Sequence, residues 1–236
     1  MQKGKLYLIP VPLAEGAERA SYTNLHHAVI EHIAEYVVEN EKTARRFLKA
    51  AGLPIPQSQL IIHDYGKHTR EKMDYNVVFA NVNKGHDIGL MSEAGCPAVA
   101  DPGADVVLEA HRRGIQVVPL VGPSSILLAL MASGFNGQKF TFQGYLPIDK
   151  VDRGKKIKDL EGQSQREKMT QLFIETPFRN NQLFNEVLRV CKPTTRLCIA
   201  ANLTATDEFV YTKTIGEWKK HPVDLHKIPA IFVLFA

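Results

Sequence analysis

Short apolar runs alternate along this chain with stretches whose apolar positions recur every three to four residues. The runs at 5–9, 34–38, 87–91 and 115–119 are too short for core helices and read as strands. Between them lie helical patterns. One runs from a cap at Thr23 or Asn24 to about residue 33, with Leu25, Val29 and His32/Ile33 at helical spacing. The next spans 41–51 and is closed by Gly52 and Pro54, and another spans 104–113 and stops at Gly114. Residues 14–21 read as loop, 63–68 as a polar turn, and 70–83 as helical. The helix at 126–131 is apolar nearly all round, which predicts burial. Further on, strands are predicted at 140–147 (with a Gly/Pro exit), 171–175 and 196–201, with a basic helix over 150–168 and a helix over 178–191. Two closing strands follow at 208–212 and 228–235, flanking a short helix at 215–220.

The unit from residue 87 to 119 is strand, helix, strand, so the first half should carry a mainly parallel sheet. The closing strands, briefly connected, predict antiparallel pairing and hence a mixed sheet in the second half. The expected fold class is α/β in two domains, 1–118 and 119–236, joined tightly near residues 118–121. No internal repeat or low-complexity linker is present.

Composition changes this picture little. The apolar share of 44% and charged share of 23% are those of an ordinary soluble protein. No apolar run approaches the roughly 20 residues that cross a bilayer. The apolar run after Lys5 is too short for a signal-peptide core, so a cytoplasmic protein is expected. Three cysteines (Cys96, Cys191, Cys198) without a CxxC pair predict neither a disulfide framework nor a zinc site. Cys96 reads as a small turn-filling residue. His63 and His68 lack a third ligand at metal spacing, so no metal is expected. Charge is uneven: 13 Lys and Arg against 14 Asp and Glu in residues 1–118, but 16 against 11 in residues 119–236. Arg153, Lys155, Lys156 and Lys158 concentrate the excess, as a solvated helix face or as a surface for an anion such as RNA.

Candidate chemistry lies where strands end. Ser92-Glu-Ala-Gly-Cys-Pro97, Asp101-Pro-Gly103 and Pro119-Leu-Val-Gly-Pro-Ser-Ser125 place Gly, Pro and Ser at strand exits, where open α/β folds bind ligands. Walker A, GxGxxG, GxSxG and HExxH motifs are absent. Strand ends of small residues with few charges suit a flat, mostly neutral ligand held by main-chain groups. Glu93, Asp101 and Glu175 are the carboxylates at these turns. Asp101, in Asp-Pro-Gly, reads as a helix-start residue.

Together with Phe142-Gln-Gly-Tyr-Leu-Pro147 and Ile174-Glu-Thr-Pro-Phe-Arg179, these motifs resemble the tetrapyrrole methylase superfamily (class III methyltransferases) over nearly the whole chain. The likeness is nearest to its ribosomal RNA small-subunit methyltransferase I branch, which methylates a ribose 2′-hydroxyl. It implies two α/β domains, S-adenosylmethionine in the cleft between them, and a homodimer. It also implies cofactor contacts from Pro12; from Ala94, Gly95, Cys96 and Val99; from Ser124 and Ser125; from Ile174; from Leu203; and from Pro229 and Ala230. Glu175 is then the candidate catalytic carboxylate, and Arg179, Lys155 and Lys156 the candidate substrate contacts, with rRNA or the small ribosomal subunit as partner. Departures from the branch pattern are Pro12-Leu-Ala-Glu-Gly16 for its Gly-Asn, Glu39-Asn-Glu-Lys42 for its acidic-Asp-Thr-Arg, Phe178 for a His, and Ala201-Asn-Leu-Thr204 for its Arg-Glu-Leu-Thr. They fall mostly where substrate should lie. A small molecule or protein side chain as acceptor, and a SAM-binding module without catalysis, are therefore the alternative readings.

Overall fold

The structure, a computed structural model, describes residues 2–66 and 69–236; His68 lies outside them. It divides into two compact units, Met1–Ser124 and Ser125–Ala236.

The first unit runs β1 (Lys5–Leu8), α1 (Glu18–Ser21), α2 (Asn24–Ile30), β2 (Glu35–Val38), α3 (Glu41–Ala50), β3 (Ile61–Asp64), α4 (Tyr75–Val78), β4 (Ile88–Met91), α5 (Ala104–Arg112) and β5 (Gln116–Pro119). Its five strands lie in the order β3-β2-β4-β1-β5, and every neighbouring pair is parallel. Inner strands of such a sheet are covered on both faces, and every residue of β2 and β4 is buried. Local signals set the helix starts. Thr23 caps α2 by accepting from His26 N–H, and Asn40 caps α3 by accepting from Thr43 N–H at 3.0 Å. The expected join at 118/119 lies inside β5, and the units divide after Ser124.

Three local expectations fail here. His63 and Asp64 belong to β3, an edge strand paired with β2, and not to a turn. Residues 70–83 are not one helix: Asp74 accepts from Asn76 N–H at 2.8 Å and starts a fresh, short α4 between two single-turn 3-10 segments. On α2, Leu25 is exposed, and His26, Val29 and Ile30 form the buried face instead.

The second unit runs α6 (Ser125–Ser133), β6 (Phe140–Tyr145), α7 (Lys150–Glu167), β7 (Thr170–Ile174), α8 (Asn180–Val190), β8 (Arg196–Ala201), β9 (Phe209–Thr214), α9 (Ile215–Lys220) and β10 (Ala230–Phe235). The order is β6-β7-β10-β8-β9, parallel between β6 and β7 and antiparallel elsewhere. The sheet is mixed, as expected, but the two closing strands are not neighbours. β10 inserts between β7 and β8, while β9 pairs with β8 at the edge. Trp218 anchors the core, fully buried, with its indole N–H donating to the Leu197 carbonyl at 2.9 Å and its ring edge-on to Phe184.

The expected burial of 126–131 also fails. α6 packs on β8, β9 and β10 through one face that buries Ala129, Leu130 and Ser133, and Met131 on another is 78% exposed. A helix laid on one sheet covers one stripe only, whatever its composition. No helix among the described residues is long and apolar enough to cross a membrane.

Candidate functional site

In the first unit the chain leaves β1, β4 and β5 through loops that are bound to one another. Val11 and Gly95 exchange two backbone hydrogen bonds of 3.0 Å, which joins the β1 exit to the β4 exit. The Cys96 thiol donates to the Pro123 carbonyl at 3.3 Å, which joins the β4 exit to the β5 exit. Burial holds that thiol above its ordinary pKa, so Cys96 is a protonated, turn-filling donor and not a nucleophile. Gly95 sits at φ +73°, in left-handed backbone that glycine adopts without cost. Ser92 Oγ donates to the Ala94 carbonyl at 3.2 Å. Beyond the turn, Ala98 and Ala100 both adopt left-handed backbone (φ 65° and 59°), with Val99 between them 49% exposed. The Asp101 carboxylate holds that conformation, accepting from Ala98 N–H at 2.8 Å and Gly103 N–H at 2.6 Å. Asp101 is therefore a loop clamp. The first residue before α5 is Gly103, which makes no side-chain cap.

A cavity of about 250 Å³ opens beside these loops, lined among others by Pro12, Glu39, Asn40, Phe47, Glu93 and Ala94. Glu39, which no sequence motif marks as a site residue, follows β2 at the same end of the sheet as the other loops. Its carboxyl is held above its ordinary pKa, first by burial and then by the charges of Asp101 and Glu93, against a hydrogen bond from the Glu93 backbone that works the other way. Burial likewise raises Asp101. A folded-state pKa above the unfolded one means that the native state binds the proton more tightly. Glu39 and Asp101 thus add stability that is fully present below the unfolded carboxylate pKa and lost as pH rises through the elevated folded value. Glu39→Gln is accordingly expected to raise the unfolding temperature at pH 7 and to change it little at pH 4, in calorimetric scans. A variant destabilised at pH 7 would contradict the assignment.

The second unit gathers its assigned residues at one end of its sheet. β7 and β8 end there and antiparallel β10 begins there, with Ile174 opposite Ile231 and Ala201 opposite Ala230. Asn202 N–H donates to the Pro229 carbonyl at 3.0 Å. Ile174, Leu203, Pro229 and Ala230 therefore share this edge, and Asn202 and Thr204 again adopt left-handed backbone (φ 47° and 73°). Among the buried side-chain atoms here, Asn180 Oδ1 and Thr204 Oγ1 have no hydrogen-bond partner. Ser125 opens α6.

Glu175 is buried, and its Oε1 accepts from Thr176 N–H and from Arg179 Nη2, both at 2.7 Å. The candidate catalytic carboxylate and the candidate phosphate contact are thus each other's partners. Lys155 lies in the second turn of α7, 3.4 Å from Asp152 and mostly exposed, and Lys156 is half-buried beside it. No cluster of three metal-ligating side chains occurs among the described residues.

Against known proteins, the family model described as Tetrapyrrole (Corrin/Porphyrin) Methylases matches residues 17–219. A protein named ribosomal RNA small subunit methyltransferase I from Escherichia coli O157:H7 is 26% identical over 98% of this chain and 78% of its own. Its namesake from Vibrio cholerae is 28% identical over 90% and 69%. Among solved structures, the methyltransferase CobJ aligns with a TM-score of 0.62 at 15% identity, covering 98% of this chain and 94% of its own. Uroporphyrin-III-C-methyltransferase from Thermus thermophilus aligns at 0.56 and 17%, over 100% and 93%. These two similarities concern the fold, and the family match spans most of the sequence. With strand-end loops of the kind described above in both units, the chain belongs to the tetrapyrrole (corrin/porphyrin) methylase family and is an S-adenosylmethionine-dependent methyltransferase.

Proposed function

We propose that the acceptor is ribosomal RNA of the small subunit, methylated on a ribose 2′-oxygen. The observation that carries this reading is the likeness, along nearly the full chain, to relatives named for that RNA. Charge supports it: residues 125–236 hold 16 Lys and Arg against 11 Asp and Glu, an excess of five that suits a polyanion. An rRNA substrate makes the cytoplasm the compartment of the reaction.

The second unit's strand ends suit the cofactor. Ile174, Leu203 and Ala230 offer apolar walls for an adenosyl group, and the partnerless Asn180 Oδ1 and Thr204 Oγ1 offer polar contacts to it. In the first unit, the Ala94–Val99 turn and Pro12 are assigned to the same role. When bound, the sulfonium supplies an already activated methyl group, so the protein's work is chiefly positioning. The Glu175 carboxylate, engaged by Thr176 and Arg179, fixes the β7 exit and holds the guanidinium in place; we assign it a positioning role.

The test supplies the protein with methyl-labelled S-adenosylmethionine and small-subunit rRNA from a strain lacking it. Label in the RNA is expected, and RNA binding should weaken steeply between 50 and 200 mM salt, by roughly the 10³-fold typical of several phosphate contacts. Label entering only small molecules or protein would move the acceptor to another class.

We further propose a homodimer. Apolar side chains left exposed on α6, Met131 foremost, are surface that such an assembly would cover. Light scattering is expected to give twice the chain mass; a monomer at micromolar concentration contradicts the dimer.

A further inference from the structure

Phe178 stands 67% exposed on the 3-10 turn Pro177–Arg179 that follows β7. An exposed phenylalanine is ordinary by itself; this one is held in a built setting. The loop before β10 is pinned to its turn. Lys227 N–H donates to the Pro177 carbonyl at 3.0 Å, and Asn180 Nδ2 donates to the Ile228 carbonyl at 2.6 Å. Asn181 Nδ2 donates to Asp224 Oδ1 and Leu225 N–H donates to Asn181 Oδ1, each at 2.7 Å.

Those bonds hold Lys227 in left-handed backbone (φ 62°), a conformation unfavourable for a lysine. The result is an ammonium 5.9 Å from the centre of the Phe178 ring and the His226 ring edge-on at 6.2 Å. Arg179 and Asp224 are already engaged, by Glu175 and Asn181. Lys227 has no carboxylate within ion-pair distance among the described residues. The patch lies four residues past the end of β7 and three before the start of β10, the strand ends assigned above to the cofactor. A rigid aromatic face beside an ammonium and an imidazole has the chemistry of a single-stranded nucleic-acid platform: the base stacks and the phosphate meets the ammonium.

We propose that Phe178, with Lys227 and His226 beside it, stacks an unpaired base of the substrate RNA next to the transfer site, an inference that rests on the RNA reading above. The test uses the full chain and fluorescein-labelled small-subunit rRNA, measuring Kd across salt concentrations. Phe178→Ala is expected to weaken binding by about tenfold, the loss of one stacked base, and Phe178→Trp to keep it. Lys227→Gln should lower the slope of log affinity against log salt by about one phosphate contact. Affinity for S-adenosylmethionine should stay at the parent value in all three. If the parent protein binds the RNA and Phe178→Ala binds it equally well, the platform is overturned while the RNA reading stands. If the parent binds no RNA, both fall. A Phe178→Ala protein that changes from dimer to monomer would assign the ring to contact between copies and overturn the platform as well.

Discussion

Gly95→Val is expected to cost the protein at least ~100-fold in affinity for S-adenosylmethionine, about 2.7 kcal/mol, while leaving a folded chain. The main-chain N–H and C=O of Gly95 are both committed to Val11, so the residue acts by where it lets the loops lie. A Cβ built there meets Leu13 Cδ2 at 3.2 Å and the Pro123 carbonyl oxygen at 3.4 Å, one neighbour on the β1 exit and one on the β5 exit. Valine would add two methyls to that crowding and would occupy φ +73°, which is strained for any L side chain and most of all for a β-branched one. The two effects together push apart the loops that carry Pro12, Ala94 and Ser124. Gly95→Ala should fall between. Calorimetric titration measures the affinity, and thermal unfolding confirms that the variant folds. A folded Gly95→Val protein with parental affinity would remove this turn from the cofactor site.

Gly122→Ala should produce the largest loss of stability among single-methyl changes at these loops. Its Cβ would lie 2.5 Å from Pro10 Cγ, closer than side chains pack, and the proline ring has no rotamer to yield. The β5 exit must therefore move off the β1 exit, at a cost of about 3 kcal/mol. For a unit of this size that is a fall in unfolding temperature on the order of 10 °C. Gly137→Ala is the matched control, since nothing lies within 4 Å of its added methyl. An unfolding temperature for Gly122→Ala equal to that of Gly137→Ala would contradict the close approach of the two exits.

The elements that sequence reveals here are those whose residues state their own environment. β4, and β2 after Glu35, run apolar because both faces are covered, and α3 carries its cap and its stop in Asn40 and Gly52. β3 is different. Ile61 and Asp64 are exposed at the sheet edge, so its residues carry only a weak apolar pattern and the strand exists through its partner β2. The position of β10 between β7 and β8 depends on pairing between residues far apart in the chain, which no local window contains. The same division holds at the sites. Turns punctuated by Gly and Pro are legible as strand exits, and the family pattern groups Ile174, Leu203 and Ala230. Glu39 opens a run that departs from that pattern, although its position after a strand is signal enough. By sequence alone Glu175 and Arg179 are separate candidates, one catalytic and one for substrate. Their i, i+4 spacing already allowed the pair that the structure shows at 2.7 Å.

The most direct measurement of the central claim is where the label goes. Small-subunit rRNA labelled by this protein from methyl-labelled S-adenosylmethionine would be hydrolysed to completion in alkali and its products separated. Alkaline cleavage needs a free 2′-hydroxyl, so a methylated ribose protects the adjoining phosphodiester and leaves a dinucleotide. Label in an alkali-resistant dinucleotide is the result expected for methyl transfer to a ribose 2′-oxygen. Label in mononucleotides alone would put the methyl on a base, and RNA without label would contradict RNA methylation itself.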